Sequence, residues 1–335
     1  MRAWRLPAGS DGFQNLALDD LPDPEPGPGE VLIRVHACSI NYRDFAVAAG
    51  KYFGGALKQA AVPLSDGAGQ VAAVGPGVTK FKEGDRVQGA FFMLWEDGAP
   101  FMGPALGDGH APGMLAEYVV LPESGVVPMA ETLSYAEAAC LPCAGVTAWN
   151  ALYEGPRALL PGMRVLVLGS GGVSMLALQL ARAGGCEVVA TSSSDEKLAR
   201  IKDLGASQLV NYQKMPDWGR YVGQELGGVD KVVEVGGAGT AEQSMAALRG
   251  QGEVAMIGVL EPEGGSNPRG LMMSAGLMRG IFVGSGAMAR RLNAAIDVNA
   301  IKPLIGASFG FEEAKEAYAH AWGPDSFAKT VIALA

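Results

Sequence analysis

The sequence predicts an α/β protein with two domains, one rich in β-strands and one built on a doubly wound parallel sheet. The length of 335 residues favours two domains. Short strands separated by Gly/Pro turns fill the first third, and strands alternate with helices from about residue 133 onward. We expect the β-rich domain to span residues 1–130, completed by 285–335, and the parallel-sheet domain to span 131–284.

The β-rich region contains four expected strands, at residues 30–37, 69–75, 84–89 and 116–121. Between the last two, residues 92–113 have no helical or strand period and are rich in Gly, Pro and Met. A loop of that length inside a domain is usually functional. Two readings are open for its apolar side chains: they line an apolar pocket, together with His110, or they pack the loop down. These side chains are Phe91, Phe92, Trp95, Phe101 and Met102.

The second region begins where Ser134 starts a helix that we expect to run through Trp149. Residues 164–168 form a near-continuous apolar strand, which is typical of a central parallel strand buried on both faces. The pattern then alternates, with helices expected at 173–183 and 195–204 and strands at 187–191, 209–212, 230–235 and 253–258. Such alternation indicates a doubly wound sheet.

The tail from residue 284 does not continue this series. It contains a charged helix at 312–321 and a final strand at 329–334. We expect the strand to pair back into the β-rich domain, so that the parallel-sheet domain is an insertion.

A glycine-rich turn directly follows strand 164–168 and opens the next helix. This arrangement aims helix N–H groups at a pyrophosphate, because the unpaired amides and the helix dipole both favour an anion. The turn predicts a dinucleotide site formed by Gly169, Ser170, Gly171, Gly172, Val173 and Ser174. A glycine triplet without a ligand is the weaker alternative.

Cofactor specificity is indicated by the end of the second strand. Folds that bind NAD place a carboxylate there, but this chain has Ser192 and Ser193, with Lys197 one helical turn later. Hydroxyl groups and an ammonium would hold a 2′-phosphate, which favours NADPH. Asp195 and Glu196 weaken this electrostatic case. The other reading of the serines is a helix N-cap, a role that Ser194 can also fill.

Composition excludes several functions. The net charge of −9 and a pI near 5.0 argue against a nucleic-acid partner. No apolar run is long enough to span a membrane, and the N-terminus lacks the apolar segment of a signal peptide, so we expect a cytoplasmic protein. Cys140 and Cys143 form a C-x-x-C pair that we interpret as buried, unreactive thiols and not as a redox disulfide or metal clip.

Several segments together resemble the medium-chain dehydrogenase/reductase superfamily, in its zinc-free quinone-oxidoreductase-like branch. The resemblance spans nearly the whole chain and rests on residues 29–35, 41–44, 66–71, 84–87, 143–149 and 258–260 besides the glycine turn. It implies a GroES-like catalytic domain interrupted by a Rossmann domain, with the active site in the cleft between them.

The resemblance also implies individual roles. Asn41 and Tyr42 would lie near the nicotinamide, and Thr147 near its ribose. Lys197 and Tyr212 match positions that hold the 2′-phosphate, and Lys329 one near the pyrophosphate. The remaining implied contacts, to the nicotinamide ribose and carboxamide, are Gly258, Val259, Leu260, Phe282, Val283 and Gly284.

No zinc is expected. In zinc-containing members of the family, three positions carry Cys, His and Cys, and here they fall on Asn41, Ser65 and Cys143. One thiolate cannot hold a catalytic zinc. The four clustered cysteines of the structural zinc site are also missing from residues 86–120.

These observations predict hydride transfer from NADPH to a quinone or an α,β-unsaturated carbonyl, whose conjugation reduces the need for electrophilic help. Asn41, Tyr42 and Tyr52 are the candidates for hydrogen-bonding the substrate oxygen or delivering a proton through water; packing roles are equally open for the two tyrosines. The alternatives are a metal-free alcohol or aldehyde dehydrogenase and a non-catalytic dinucleotide-binding protein. We expect a homodimer, formed through a short apolar edge strand at 281–283.

Overall fold

The structure is a computed structural model that describes residues 1–101, 103–258 and 265–334. The chain divides into two compact units, residues 1–146 with 283–335, and residues 147–282. The first boundary therefore follows residue 146, whereas the sequence placed it after residue 130. None of the helices within the described ranges combines the length and hydropathy that a membrane crossing requires.

The N-terminal part of the first unit is built around one long strand. Alternate residues of that strand, Val31, Ile33 and Val35, are fully buried, as expected when one face covers a core. The elements are β1 (Arg2–Arg5), β2 (Ala17–Asp20), β3 (Glu30–Ile40), α1 (Tyr42–Ala48), β4 (Asp66–Val74), β5 (Arg86–Gly89), β6 (Tyr118–Pro122), β7 (Val126–Pro128) and α2 (Tyr135–Ala138). β1 and β2 form a separate pair, while β3 is flanked by β4 and β6 in antiparallel pairing.

The second unit is a six-stranded parallel sheet with strand order β10-β9-β8-β11-β12-β13. Its elements are α3 (Val146–Tyr153), β8 (Arg164–Leu168), α4 (Gly172–Ala183), β9 (Glu187–Ser192), α5 (Asp195–Asp203), β10 (Gln208–Asn211), α6 (Trp218–Arg220), β11 (Val229–Glu234), α7 (Ala238–Ala246), β12 (Leu248–Met256), α8 (Arg269–Ser274) and β13 (Leu277–Gly280). The order reverses between β8 and β11, and doubly wound sheets bind dinucleotides at such a switch point. The prediction of this sheet is confirmed.

The C-terminal residues return to the first unit. They form α9 (Gly286–Asn299), β14 (Ile305–Gly310), α10 (Ala314–Trp322) and β15 (Lys329–Ala333). β15 pairs antiparallel with β3, with Thr330 opposite Ile40, and completes a sheet of order β14-β15-β3-β4-β5-β7. The expectation that the closing strand pairs back is thus confirmed, and it brings the side chain of Lys329 next to the end of β3.

Two expected elements differ from the structure. The helix expected from Ser134 through Trp149 is α2, a π-helical turn at Leu141–Gly145 and α3 in succession. The edge strand expected at 281–283 lies earlier, at Leu277–Gly280. Sequence reasoning missed it because it carries Arg279, whose guanidinium donates to the buried Glu253 at 2.9 Å. Ile281 is instead a buried residue packed with Ala151 and Ala255.

Candidate functional site

The glycine turn between β8 and α4 has the geometry that a pyrophosphate site needs. Gly169 has a φ of +71°, which favours glycine. A Cβ built at Gly169 or Gly171 would meet no atom of the described chain within 4 Å, so the backbone faces open space. Gly171 is the N-cap of α4 and provides no side chain to bond the first amides of the helix. Those amides remain available to an anion.

Ser174 takes the place of the third glycine of this turn. It is buried, and its hydroxyl donates to the carbonyl of Leu168 at 2.6 Å. The hydrogen bond ties the first turn of α4 to the end of β8. A small residue at this position therefore permits the close helix–strand packing that the sequence predicts. Ser170 lies in the turn, and Gly172 and Val173 are the first two residues of α4.

The residues predicted to select the cofactor lie together at the ends of β9 and β10. Ser192 is paired with Asn211 in the sheet, and the amide of Tyr212 donates to the Ser192 carbonyl at 3.1 Å. Ser193 is exposed, and Tyr212 is 38% exposed. Ser194 caps α5 by accepting from the amide of Lys197, which confirms the capping role. Two side chains predicted to hold a 2′-phosphate thus reach solvent on neighbouring strands.

A further lysine at this edge escaped the sequence reasoning. Lys214 forms an ion pair with Asp195, and the Asn211 amide donates to the same carboxylate at 2.6 Å. These bonds, the Lys214 bond foremost, lower the pKa of Asp195. Its negative charge, which weakened the case for NADPH, is therefore balanced locally. The pairing depends on the turn after β10, which no periodicity in the sequence reveals.

The loops after β11 and β12 are anchored by Glu234, which sequence reasoning also missed. Its buried carboxylate accepts hydrogen bonds from the amides of Gly236 and Gly237 and from the Thr240 hydroxyl, at 2.7, 3.1 and 2.6 Å. The Glu234 carbonyl accepts from the Gly258 amide at 2.9 Å. A Cβ at Gly258 would lie 2.3 Å from the Val235 carbonyl carbon, so glycine is required there. A strand-end Glu before Gly-Gly was the available signal.

The other implied cofactor contacts are distributed over both units. Thr147 is buried at the start of α3 in the second unit. The division between the units falls between Phe282 and Val283, and Val283 has a φ of +51°. A Cβ at Gly284 would lie 2.7 Å from side-chain atoms of Val146 and Met288. Val259 and Leu260 lie outside the described residues.

A buried polar cluster occupies the ends of three adjacent strands in the first unit. Asp66, fully buried at the start of β4, accepts from the Ser65 hydroxyl at 2.8 Å and from the Cys143 amide at 3.1 Å. Strand pairing sets Asp66 opposite Ser39, whose hydroxyl lies 3.5 Å from the carboxylate. Sequence reasoning missed this carboxylate, because the strand register alone brings its partners to it.

Lys329 enters this cluster from β15. Its ammonium is buried and donates to the Asn41 side-chain oxygen at 2.6 Å and to the Ile40 carbonyl at 2.8 Å. Asp66 lies 3.8 Å away and supplies the counter-charge. The pyrophosphate contact that the resemblance implies for Lys329 stays a prediction, and in this structure the ammonium is bonded within the first unit.

Asn41 precedes α1, and the residues after it form a second buried ion pair. The Asp44 carboxylate accepts from the Asn41 backbone amide at 2.8 Å and from the Arg43 guanidinium at 3.1 Å. The guanidinium lies over the rings of Tyr52 and Phe91, at 4.6 and 5.3 Å from the ring centres. Tyr52 is therefore connected to this pair through Arg43.

Tyr42, the third predicted catalytic residue, lies elsewhere on α1. It is 42% exposed, and its ring stacks on Trp322 at 6.0 Å between centres. The structure thus brings Asn41 and Tyr52 to the same group of charged residues, while Tyr42 is on the exposed side of the helix.

Burial shifts the pKa values of several ionisable groups around this cluster. Burial raises the pKa of Asp44 to about 6, against the opposing effect of Arg43. Burial also raises the pKa of Tyr52, that of the Cys140 thiol to about 12, and that of the Cys143 thiol well above its ordinary range. All four cysteines are free. Cys140 is buried, as expected for the C-x-x-C pair, whereas Cys143 is only half-buried.

The loop at 92–113 contains packed aromatics. Phe91, Phe92 and Trp95 are buried against one another, with ring centres 4.8 and 6.1 Å apart, so these three pack the loop down. Phe101 is half-exposed, and Met102 lies outside the described residues. His110 lines a cavity of about 220 Å³ with residues 54–59, 108 and 109.

Comparison with known proteins agrees with both units. Residues 27–131 match the family model of the alcohol dehydrogenase GroES-like domain, and residues 172–298 that of the zinc-binding dehydrogenase. A Schizosaccharomyces pombe protein named zinc-type alcohol dehydrogenase-like protein C1773.06c is 41% identical, over 96% of each chain. The chain belongs to the medium-chain dehydrogenase/reductase superfamily. It is an oxidoreductase family with a GroES-like sheet domain and a Rossmann-like parallel sheet.

Other medium-chain dehydrogenase/reductase proteins extend the comparison. Mouse quinone oxidoreductase is 30% identical over 89% of this chain and 87% of its own. A putative alcohol dehydrogenase from Sinorhizobium meliloti 1021 superimposes with a TM-score of 0.89 at 38% identity, covering 99% of both chains. The crotonyl-CoA carboxylase/reductase AntE in complex with NADP gives 0.88 at 26% identity, over 99% and 94%.

The three positions that hold zinc in metal-containing members of this superfamily all border the buried polar cluster. Asn41 is bonded to Lys329, while Ser65 and the Cys143 amide are bonded to Asp66. Within the described ranges, no group of three His, Cys, Asp or Glu side chains is placed to hold a metal ion. The donor set at the three positions is an amide, a hydroxyl and one thiol, a poor match to zinc.

Proposed function

We propose that this protein transfers hydride from NADPH to a quinone or an α,β-unsaturated carbonyl without a zinc ion. The observation that carries the proposal is the ammonium of Lys329, 2.6 Å from the side-chain oxygen of Asn41. A cation of the protein itself is thus bonded to a residue that stands at a metal-ligand position. A second, divalent cation beside it would be repelled.

The residues of the chain have distinct tasks in this reaction. The glycine turn and the N-terminus of α4 bind the pyrophosphate. When bound, the nicotinamide supplies the hydride. Asn41 offers an amide N–H to the oxygen of the acceptor, where negative charge develops. A conjugated acceptor spreads that charge, so a neutral donor is sufficient help.

The preference for NADPH rests on the ends of β9 and β10. Ser193 and Tyr212 present hydroxyl groups, Lys197 follows in the first turn of α5, and Lys214 neutralises Asp195 at the same edge. Residue 192 is a serine, whereas NAD-binding folds have at this position a carboxylate that would repel a 2′-phosphate. The NADP complex of the related AntE supports the same choice.

Stopped-flow measurement of NADPH oxidation tests the proposal. Mixed with 1,4-benzoquinone or 2-cyclohexenone, the protein should oxidise NADPH in single turnover, and prior dialysis against a chelator should leave the rate unchanged. No turnover with any member of either acceptor class would refute the activity. Loss of the rate after dialysis, with recovery on adding Zn²⁺, would refute zinc independence.

Two other functions are separated by the same assay. A metal-free alcohol or aldehyde dehydrogenase would reduce NADP⁺ with alcohols and leave quinones and enones unreacted. The fission-yeast relative is named zinc-type alcohol dehydrogenase-like, which supports an alcohol substrate and not the absence of a metal. A dinucleotide-binding protein without enzymatic activity would bind NADPH in calorimetry but would not oxidise it, whichever acceptor is added.

We further propose a homodimer formed through β13, which is the last strand in the sheet order of the described second unit. Edge strands generally leave backbone groups open to pairing, and two such edges pair readily across a two-fold axis. Light scattering should give twice the mass of the chain. A monomer at micromolar concentration would refute this assembly.

A further inference from the structure

The side-chain amide of Asn41 is held at one end and free at the other. Its oxygen accepts from Lys329, whereas its nitrogen, Nδ2, is buried and has no hydrogen-bond partner among the described residues. A buried donor without an acceptor is costly, so such a group in a native protein calls for an explanation. Asn41 is also the residue whose N–H the proposed function assigns to the acceptor.

Lys329 determines which end of the amide is free. An ammonium can only donate hydrogen bonds, so the Asn41 oxygen must face Lys329 and Nδ2 must be directed away from it. Without this contact the amide could turn over and present its oxygen, which repels a developing negative charge.

Lys329 is itself held in place. The Ile40 carbonyl accepts from it at 2.8 Å, and Asp66 lies 3.8 Å from the ammonium. Asp66 is fixed in turn by the Ser65 hydroxyl and the Cys143 amide. These bonds come from β3, β4, β15 and the π-helical turn, which makes the orientation of Lys329 part of the sheet architecture.

We propose that Lys329 is a positioning residue, which orients the Asn41 amide so that Nδ2 donates to the carbonyl oxygen of the acceptor. The inference rests on the proposed function. In the reaction, hydride leaves NADPH and forms a new bond to the β-carbon of the enone or to the quinone, so that NADPH becomes NADP⁺. The π electrons of the conjugated system move onto the carbonyl oxygen, and water donates the proton that completes the reduction, leaving hydroxide. Lys329 acts on this step only through Asn41.

The test uses variants that separate orientation from folding and from cofactor binding. K329M leaves Asp66 buried without its counter-charge, so the double variant K329M/D66N is also made, in which that corner is neutral. Asn41→Asp keeps a partner for Lys329 and removes the N–H donor. The matched control is Lys231→Met, which removes a buried lysine from the second unit, where Lys231 pairs with Glu253.

Two measurements go beyond activity. Calorimetry gives the Kd for NADPH, and Raman difference spectroscopy gives the C=O stretch of 2-cyclohexenone bound to the NADP⁺ complex. We expect the C=O stretch to be shifted to lower frequency in the wild type, and this downshift to be smaller in N41D and K329M/D66N. The single-turnover rate at saturating NADPH should fall about 10- to 100-fold in both, with the Kd for NADPH within about twofold. Lys231→Met should change neither the single-turnover rate nor the C=O stretch.

The contrary results are equally specific. An NADPH Kd raised tenfold with an unchanged single-turnover rate in K329M/D66N would make Lys329 a pyrophosphate ligand and overturn the proposal. Wild-type rates and an unchanged C=O stretch in N41D would overturn it as well. If no acceptor supports NADPH oxidation by the wild type, the proposed function fails. The positioning role then fails as well only if the C=O stretch of bound 2-cyclohexenone shows no downshift.

Discussion

Asp44 should make the stability of this protein depend on pH in an unusual direction. Burial raises its pKa from 3.8 to about 6 in the folded chain, so the folded state binds its proton more tightly than the unfolded state does. The stability that this protonation contributes is fully present below pH 3.8 and is lost as the pH rises through about 6. At about 1.4 kcal/mol per pKa unit, the loss is about 3 kcal/mol.

Urea unfolding of the wild type and of Asp44→Asn at several pH values measures this effect. The asparagine can still accept from the Asn41 amide, and the charge of Arg43 is constant over the range. The variant therefore removes the titration and adds an offset that is independent of pH. We expect the free energy of unfolding of the wild type, relative to the variant, to fall by about 2 kcal/mol between pH 4 and pH 7, because part of the total effect is already lost at pH 4.

A control with the opposite sign is available in Asp195→Asn. The ion pair with Lys214 lowers the pKa of Asp195, so its contribution should be lost as the pH falls below 4. The free energy of unfolding of the wild type minus that of Asp44→Asn should fall with pH. If this difference is constant or rises with pH, the explanation that burial penalises the charged form of Asp44 is refuted.

Three further predictions concern the second unit and the thiols. Lys197→Ala should weaken NADPH binding about tenfold in calorimetry and leave NADH binding unchanged; equal losses for both would contradict a 2′-phosphate site. Gly258→Ala should destabilise the protein by about 1–3 kcal/mol in urea unfolding, because its Cβ meets the Val235 carbonyl carbon at 2.3 Å, whereas Gly250→Ala, whose Cβ meets no described atom within 4 Å, should not. N-ethylmaleimide should leave Cys140, whose pKa is about 12, unlabelled until the protein is unfolded, as mass spectrometry would show; fast labelling of the native protein would refute the burial argument.

The sequence was most informative where local patterns determine structure. Residues 164–168 form β8 as expected, since an apolar run without alternation fits a strand covered on both faces. The glycine turn and the Ser194 cap were equally readable, because each is settled by neighbours within a few residues. The dinucleotide site is therefore largely a local property of the chain.

The polar cluster was not readable, because its members are distant in sequence. Lys329 meets Ile40 only through the pairing of β15 with β3, and Asp66 meets Ser39 only through the register of β3 and β4. The resemblance named three positions that border this cluster, Asn41, Ser65 and Cys143, and gave Lys329 a different partner. The edge strand was misplaced for a related reason, since Arg279 reads as a surface residue until Glu253 is placed beside it.

The central claim is that NADPH bound on the glycine turn reduces conjugated carbonyls with the help of the protein's own residues. Single-turnover oxidation of NADPH by 1,4-benzoquinone and 2-cyclohexenone, in wild type and in Asn41→Asp, tests it most directly. The account predicts rapid oxidation by the wild type, unaffected by a chelator, and a rate about 10- to 100-fold lower in the variant. Equal rates in the two proteins, or no oxidation by either acceptor, would contradict it.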